Sequence, residues 1–374
     1  MPWVILGRVL RGEPGPDAVE PDFITTPVLL PPGVTIPAAG RGAQPKINKP
    51  DMYPYIIATS RFCLLAHFAV APSNGTSFED SPQNTHLVLV RNFHRAPGQI
   101  TATAEQVPRR SSHVPGLRNI QGVGLLSWVS DNDGPDAVRT TIIAELQVDR
   151  AGDRFRAMLL RFRDGRGWSR KKMPCPLPAA NREWAPHGAV SFNTTICWFD
   201  LSWGMLTCDL DPPVGEQFMF LRYHPLPEGQ MLQQAPPDIH SRRCITVTRN
   251  DNLLRYVDIV PAAAGEAAPP TVTMWTRRIR VGAWEWVTNY AMSFDRIWDD
   301  DSYAETGLPR EVPVLALVSP SDHQIVFFAL EQIIFGVNVP AHRVEHRALY
   351  NLVNLPGQQL PASGRYLVDW TLPV

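Results

Sequence analysis

The sequence predicts an all-β protein, and within that class a β-propeller of five or six antiparallel blades closed by strands from the two ends of the chain. Three observations carry this. Short apolar runs recur along the chain and are separated by turn-forming residues. The chain holds 37 prolines, which are kept out of helix interiors and central strands and so collect in links. The runs also group into five successive units of three or four strand candidates, as a repeat architecture requires. A pair of β-sandwiches is the other arrangement this pattern allows.

Taken in order, the first strand candidate is Trp3 to Leu10, followed by a proline-rich stretch over 11–50 without helical period, read as an ordered arm or loop. Unit one holds apolar runs at 55–60, 62–70, 86–93 and 99–108, and unit two holds runs at 119–130, 139–150, 154–164 and 167–174. Unit three covers 188–210 and 217–227, unit four 244–260, 271–279 and 283–292, and unit five 313–320, 324–339 and 344–352. Asp164-Gly165, Ser202-Trp203-Gly204 and Arg249-Asn250-Asp251-Asn252 supply the turn chemistry of hairpins, since Gly and Asn tolerate positive φ. A helical insertion is expected over 293–306, with a Ser start, early acids and a Gly-Leu-Pro stop. Pairing of the first strand with a last one near 364–372 would close the ring and remove its exposed edges, making one domain of 1–374. With part of the arm, those strands would form a sixth blade.

Composition narrows the function classes. Charged residues make up 19% and the formal net charge is -1, so no bulk attraction draws the chain to nucleic acid or an anionic membrane. No run reaches the ~18 apolar residues of a membrane span. The N-terminal segment lacks a basic start and a long apolar run, so secretion is not expected. Five cysteines without a CxxC pair read as buried reduced thiols, in keeping with the cytoplasm or nucleus.

Units three to five carry long ordered motifs: CWFDLSWGMLTCDLDPP at 197–213, FLRYHPLPEGQML at 220–232, YVDIV at 256–260, VTMWT at 272–276, the run 284–320 and IVFFALEQIIFGVNV at 325–339. In order and spacing these resemble the blocks of the plant family called domain of unknown function 1618, which is expanded in grasses. The resemblance extends from Trp3 to the C-terminus, is strongest over 187–340 and is weak over 70–180. It implies a plant protein of the cytosol or nucleus, similar in layout to propeller-like domains associated with F-box proteins. No F-box-like helical segment precedes the β region, which argues against a stand-alone ubiquitin-ligase receptor. The family has no established catalytic residues, so the resemblance implies none here.

The candidate sites each face a plainer alternative. The Asp200-Leu201-Ser202-Trp203-Gly204 turn is either a binding rim built on Asp200 and Trp203 or a hairpin in which Asp holds turn amides and Trp packs on a neighbour. The basic run 154–172, with Arg161, Arg163, Trp168 and Arg170, is either a phosphate-tracking surface or two strands with Arg stems covering the edge. Trp298-Asp299-Asp300-Asp301 reads as helix-start acids rather than a cation site, because consecutive carboxylates on a helix diverge. The stretch 131–136 lacks the closing glutamate of a calcium loop. His342 and His346 lie in a strand region, where a spacing of four makes no shared face. No catalytic residue, metal or cofactor is therefore expected. The reading is a non-enzymatic scaffold that binds another protein through face loops at 11–50, 71–85 and 225–241, in development or in stress or pathogen response. An enzyme with a small-molecule site in the channel is the alternative, and two or more ionisable groups converging there would favour it. A nucleic-acid-associated factor using 154–172 is a further one.

Overall fold

The computed structural model describes residues 3–8, 11–14, 21–25, 36–37, 55–60, 62–69, 85–96, 99–129, 139–179, 181–211, 218–260, 269–280, 283–350 and 363–371. The strands begin with β1 (Trp3–Gly7), β2 (Arg11–Pro14), β3 (Pro21–Thr25) and β4 (Ile36–Pro37). Blade I is β5 (Tyr55–Thr59), β6 (Cys63–Ala69), β7 (Thr85–Ala96) and β8 (Gln99–Gln106). Blade II is β9 (Val123–Val129), β10 (Arg139–Ala151), β11 (Arg154–Arg163) and β12 (Gly167–Pro174). Blade III is β13 (Gly188–Phe192), β14 (Thr195–Asp200), β15 (Gly204–Asp209) and β16 (Arg222–Pro225). Blade IV is β17 (Arg243–Thr248), β18 (Leu253–Val260), β19 (Thr271–Arg280) and β20 (Ala283–Ser293). Blade V is β21 (Val314–Val318), β22 (Ile325–Leu330), β23 (Ile333–Asn338) and β24 (Arg343–Leu349), and β25 (Leu367–Thr371) ends the series.

Each blade is a four-stranded antiparallel meander in sequence order. The first strands neighbour one another in turn, β5 beside β9, β9 beside β13, β13 beside β17 and β17 beside β21. Strand β25 then lies between β21 and β5, and β1 pairs with it antiparallel, Trp3 opposite Thr371 and Gly7 opposite Leu367. The protein is thus a five-bladed propeller whose ring is closed by a two-stranded sheet from the chain ends, as the end strands predict. The arm differs from its loop reading. Strands β2, β3 and β4 form a three-stranded sheet of their own rather than completing a sixth blade. Pro14 and Pro21 sit at strand ends, where a missing N–H costs no ladder bond.

The core lies between blades. Leu126, Ile142, Ala144 and Leu159 of blade II pack against Ile196, Trp198 and Leu206 of blade III. Trp198 is fully buried, and its indole N–H donates to the Gly122 carbonyl at 2.9 Å, which fixes the angle between these blades. Tyr256, Leu254 and Ile245 pack against Cys197 and Met205 at the next junction, and Val257, Val272 and Met274 against Phe328 and Phe335 at the one after. In blades III and IV the second strand is more buried than the first, whereas the first strands of blades I and V are themselves mostly buried. All of β13 is half-buried, whereas β14 is buried from Ile196 to Asp200. Strand β13 borders the channel, and its neighbour β14 carries the packing there.

Two of the three expected turns place a Gly or Asn at positive φ, Gly165 and Asn252, whereas Gly204 in the 202–204 turn does not adopt it. Gly165 and Gly167 have φ of +74° and +72°, and Asn193 and Asn252 have φ of 49° and 53°. The helix expected at 293–306 is two short helices, α2 (Phe294–Trp298) and α3 (Asp301–Ala304), preceded by α1 (Ile239–Arg242). Asp300 breaks the run by taking an extended conformation and accepting the Ser302 amide as an N-cap.

Candidate functional site: the channel and the outer rim

A cavity of about 360 Å³ runs along the ring axis, lined by the first strands of all five blades and by β25. One mouth is formed where β5, β13, β17 and β25 begin, and it gathers Arg8, Tyr55, Gln121, His187, His240, Arg243 and Arg365. The other gathers Thr59, Ser60, Ser127, Asn193, Arg249, Asn252 and Asp369. The wall between them includes Ile57, Leu125, Ala189, Ile245 and Leu367.

The second mouth is knit together by its own bonds. Ser60 and Ser127 hydroxyls meet at 2.6 Å, Thr59 Oγ1 donates to the Asp369 carbonyl at 2.8 Å, and Arg249 pairs with the Asp369 carboxylate at 2.5 Å. The first mouth carries more cation. Arg243 pairs with Asp258 at 2.9 Å and donates to the carbonyls of Leu201 and Gln230. Burial pushes the Asp258 carboxyl up, with Arg243 opposing it. Arg8 donates to the carbonyls of Leu367, Ile56 and Ile57 at 3.1, 2.9 and 2.5 Å, and among the described residues no carboxylate pairs with it. His187 and His240 rings stand 5.4 Å apart. Burial, then His187, Arg365 and Arg8, hold the His240 imidazole down at about 3, so it is neutral at pH 7.

Behind this mouth lies the 200–204 turn. Asp200 is fully buried and accepts from the Ser202 amide (2.8 Å), the Ser202 hydroxyl (2.5 Å) and Arg182 Nη2 (3.3 Å), with His187 Nδ1 at 3.4 Å. Burial alone would raise its pKa, but the contacts from His187 and Ser202 leave it below the usual carboxylate range. Trp203 is 1% exposed, packs edge-on to Phe155 and against Trp184, and lies 4.7 Å beneath the Arg182 guanidinium. Neither Asp200 nor Trp203 offers a rim surface; Asp200 holds the turn amides and Trp203 fills the junction with blade II.

The basic run on β11 and β12 is divided between two faces, because side chains alternate along a strand. Arg161 is 7% exposed and donates to the Leu210 carbonyl, and Arg163 pairs with Asp211 at 3.3 Å, both facing blade III. Trp168 donates to the Pro108 carbonyl at 2.6 Å and carries Arg110 over its ring at 4.3 Å, toward blade I. Arg170 is exposed opposite Leu160, on the same face as Trp168. These residues do not make one phosphate-tracking surface. The Asp299–Asp301 acids are likewise used locally: Asp299 pairs with Arg310 and Asp300 caps α3. Among the described residues no group of three or more His, Cys, Asp or Glu is placed to hold a metal ion. His342 occupies a turn with φ of 61°, and His346 stacks on Phe327. The segments 131–136 and 71–84 lie outside the described residues.

A feature that the sequence reading missed lies on the outer rim of blades III and IV. Phe220 is 50% exposed beneath the Arg222 guanidinium, 4.6 Å away. Arg277 bonds His224 Nδ1 at 2.7 Å and sits 5.6 Å from the rings of both Trp284 and Trp286. Trp286 donates to the Pro225 carbonyl at 2.9 Å, joining the outer strands of the two blades. Phe218 and Trp284, 52% and 44% exposed, extend the strip. Its sequence signal is large aromatics on and just before the outer strands, where polar residues are usual.

Part of the chain matches the family model DUF1618. That family, described as proteins of unknown function, is matched over residues 198–327, a narrower stretch than the 187–340 of the motif resemblance. The DUF1618 segment contains the Asp200 turn, the Arg243–Asp258 pair and the whole aromatic strip. No curated protein matches the chain significantly. Among solved structures it is similar to the X-ray structure of a hypothetical selenium-binding protein from Sulfolobus tokodaii, at a TM-score of 0.39 and 10% identity, over 92% of this chain and 74% of that one. No helix among the described residues is long and apolar enough to cross a membrane.

Proposed function

We propose that the protein is a non-catalytic scaffold that binds a partner protein through the outer rim of blades III and IV. The observation that carries this reading is the strip of Phe218 and Phe220, on the segment leading into β16, and Trp284 on β20, three half-exposed aromatics. Large apolar side chains grouped on a surface mark interaction sites, and aromatics with arginine are the usual energetic anchors of interfaces. Arg222 is exposed on the strip, Arg278 is exposed beside it and Arg277 lies beneath, against one carboxylate, Glu285, on the same strands. That balance favours an acidic segment of the partner. The family resemblance makes plant cytoplasm or nucleus the place to seek it, in development or in stress and pathogen response. The 225–241 connection is a poorer contact element than its length suggests. Leu232 is held by the Ser202 carbonyl and by Arg182, and Gln230 by Arg243.

Tagged protein and a Phe218→Ser/Phe220→Ser/Trp284→Ser variant with the same melting temperature would be used to purify partners from plant extract. A stoichiometric partner is expected with the parent chain. Loss of the three anchors, worth about 2 kcal/mol or more for a central one, should remove it. A partner retained undiminished by the variant, or no stoichiometric partner at all, would overturn the scaffold reading.

A further inference from the structure

We propose that the first mouth of the central channel, walled by Arg8, His187, His240, Arg243 and Arg365, is a binding site for a small organic carboxylate whose apolar body lies down the channel. This site is separate from the rim and stands or falls independently of it. Three observations carry it. The cavity, about 360 Å³, falls within the ~300–1,000 Å³ usual for small-molecule pockets. Arg8 brings a guanidinium to the wall whose described bonds are all to neutral carbonyls, with one Tyr55 ring contact at 5.9 Å, so its charge is not met by an acid of the described protein. His240 Nε2 is buried without a partner among the described residues, at the same mouth. A neutral imidazole carrying its proton there would donate to a carboxylate oxygen, satisfying an atom otherwise costly to bury.

Among the described residues, the carboxylates nearest the mouth are already engaged. Asp258 is held by Arg243, and Asp200 by Ser202 and Arg182. An incoming anion therefore meets cations and donors rather than competing charge. The wall beyond the mouth, with Ile57, Leu125, Ala189, Ile245 and Leu367, suits a hydrocarbon or aromatic body and offers little to a bare hydrated ion. Hence an organic carboxylate is favoured over inorganic phosphate. The second mouth, with hydroxyls at Ser60 and Ser127, would meet the far end of a longer ligand.

The test is calorimetric titration of the full chain with octanoate and benzoate, beside octanol, octylammonium and inorganic phosphate. Both carboxylates are expected to bind at least tenfold more tightly than the alcohol and the amine, and more tightly than phosphate. Arg8→Gln should weaken octanoate at least tenfold, and Arg8→Lys should restore much of it. Because Arg8 also ties β1 and β25 to β5, a second variant removes no bond: Gln121→Glu adds a carboxylate to the mouth and should weaken octanoate at least tenfold while leaving octanol unchanged. Carboxylates binding no better than octanol would overturn the proposal. So would an affinity within twofold of the parent in folded Gln121→Glu, or phosphate binding more tightly than either carboxylate.

Discussion

Acid should unfold this protein through two buried imidazoles well before its carboxylates titrate. His224 lies between Arg277 Nη2, 2.7 Å from its Nδ1, and Thr207 Oγ1, 2.7 Å from its Nε2. A guanidinium can only donate, so Nδ1 accepts, Nε2 carries the proton toward Thr207, and the ring is neutral. Burial, with Arg277 and Arg222 beside it, holds His224 down at about 3, and burial with the cationic mouth does the same for His240. Both values lie below the ordinary 6.5, so the unfolded chain binds protons that the folded one refuses. Stability from these groups is full above pH 6.5 and is lost as pH falls from 6.5 toward 3. Integrated over the two imidazoles, which are half protonated at pH 6.5 and almost fully protonated at pH 5 in the unfolded chain, this amounts to about 3 kcal/mol between pH 6.5 and 5. That is a large part of the ~5–15 kcal/mol of a typical domain. His323, also lowered by burial, adds in the same direction, whereas Asp258, raised by burial, works against it. Asp200 and Asp251 are depressed, so their contribution disappears only below the ordinary carboxylate range. Urea unfolding at pH 7.5, 6.5, 5.8 and 5.0 would measure the slope for the parent and for His224→Gln/His240→Gln. The variant should be less stable at pH 7.5 but flatter by about two protons. Parallel slopes for the two proteins would refute the reasoning, whatever their absolute stabilities.

Three further outcomes follow from packing. Gly204→Ala should cost about 1–3 kcal/mol in urea unfolding, because the new Cβ would stand 2.7 Å from the His224 carbonyl oxygen and the Tyr223 ring; a loss below about 0.5 kcal/mol would contradict that crowding. Glu145→Ala should cost about 3–5 kcal/mol, since Glu145 is 1% exposed and pairs with Arg110 at 2.7 Å while holding the Arg118 amide; a near-neutral melting shift would show the pair to be dispensable. All five thiols are free, and burial pushes Cys197, Cys208 and Cys244 up to about 12. Native protein at pH 8 should therefore label first at half-buried Cys175 with a disulfide reagent and at all five only in denaturant, and prompt labelling of Cys197 would show that the ring opens.

The sequence displays the architecture more fully than the sites. Apolar alternation such as that of 154–163, together with Gly165, Asn193 and Asn252 at the turns, marks each hairpin locally, and local signals survive without knowledge of the fold. The pairing of 3–7 with 367–371 is visible only because two apolar runs are left over at the chain ends. The channel is different. Arg8, His187, His240 and Arg365 lie in four separate parts of the chain, with no spacing that relates them, and only closure of the ring brings them together. The 200–204 turn misleads in the opposite sense, since Asp, Ser and Trp in one short motif resemble a surface site. Burial depends on what covers the turn, and the cover comes from Phe155 and Arg182 outside the motif. The basic run fails as a surface for a simpler reason. Period-two alternation sends Arg161 and Arg163 to one side and Trp168 and Arg170 to the other, which the sequence contains once a strand is assumed.

The buried ion pairs and the channel are parts of one arrangement. Arg243 reaches from the first strand of blade IV to Asp258 on the second, and the same guanidinium holds the Leu201 carbonyl of blade III and the Gln230 carbonyl of the connection. Arg182 holds Asp200, Ser202 and the Leu232 carbonyl. Together they fasten the connection 225–241 at two points before it enters α1, and α1 is what places His240 at the mouth. Apolar side chains in place of Arg243 and Asp258 would cost little stability on general grounds, because desolvation consumes most of the attraction in a buried pair. They would not replace the bonds that one side chain makes to Asp258, Leu201 and Gln230 on three separate elements. A charged network at this junction is thus better explained by the need to set the position of a connection than by stability. The matched stretch 198–327 supplies Asp200, Ser202, Arg243, Asp258 and the mouth's His240, while Arg182 from outside it completes the network.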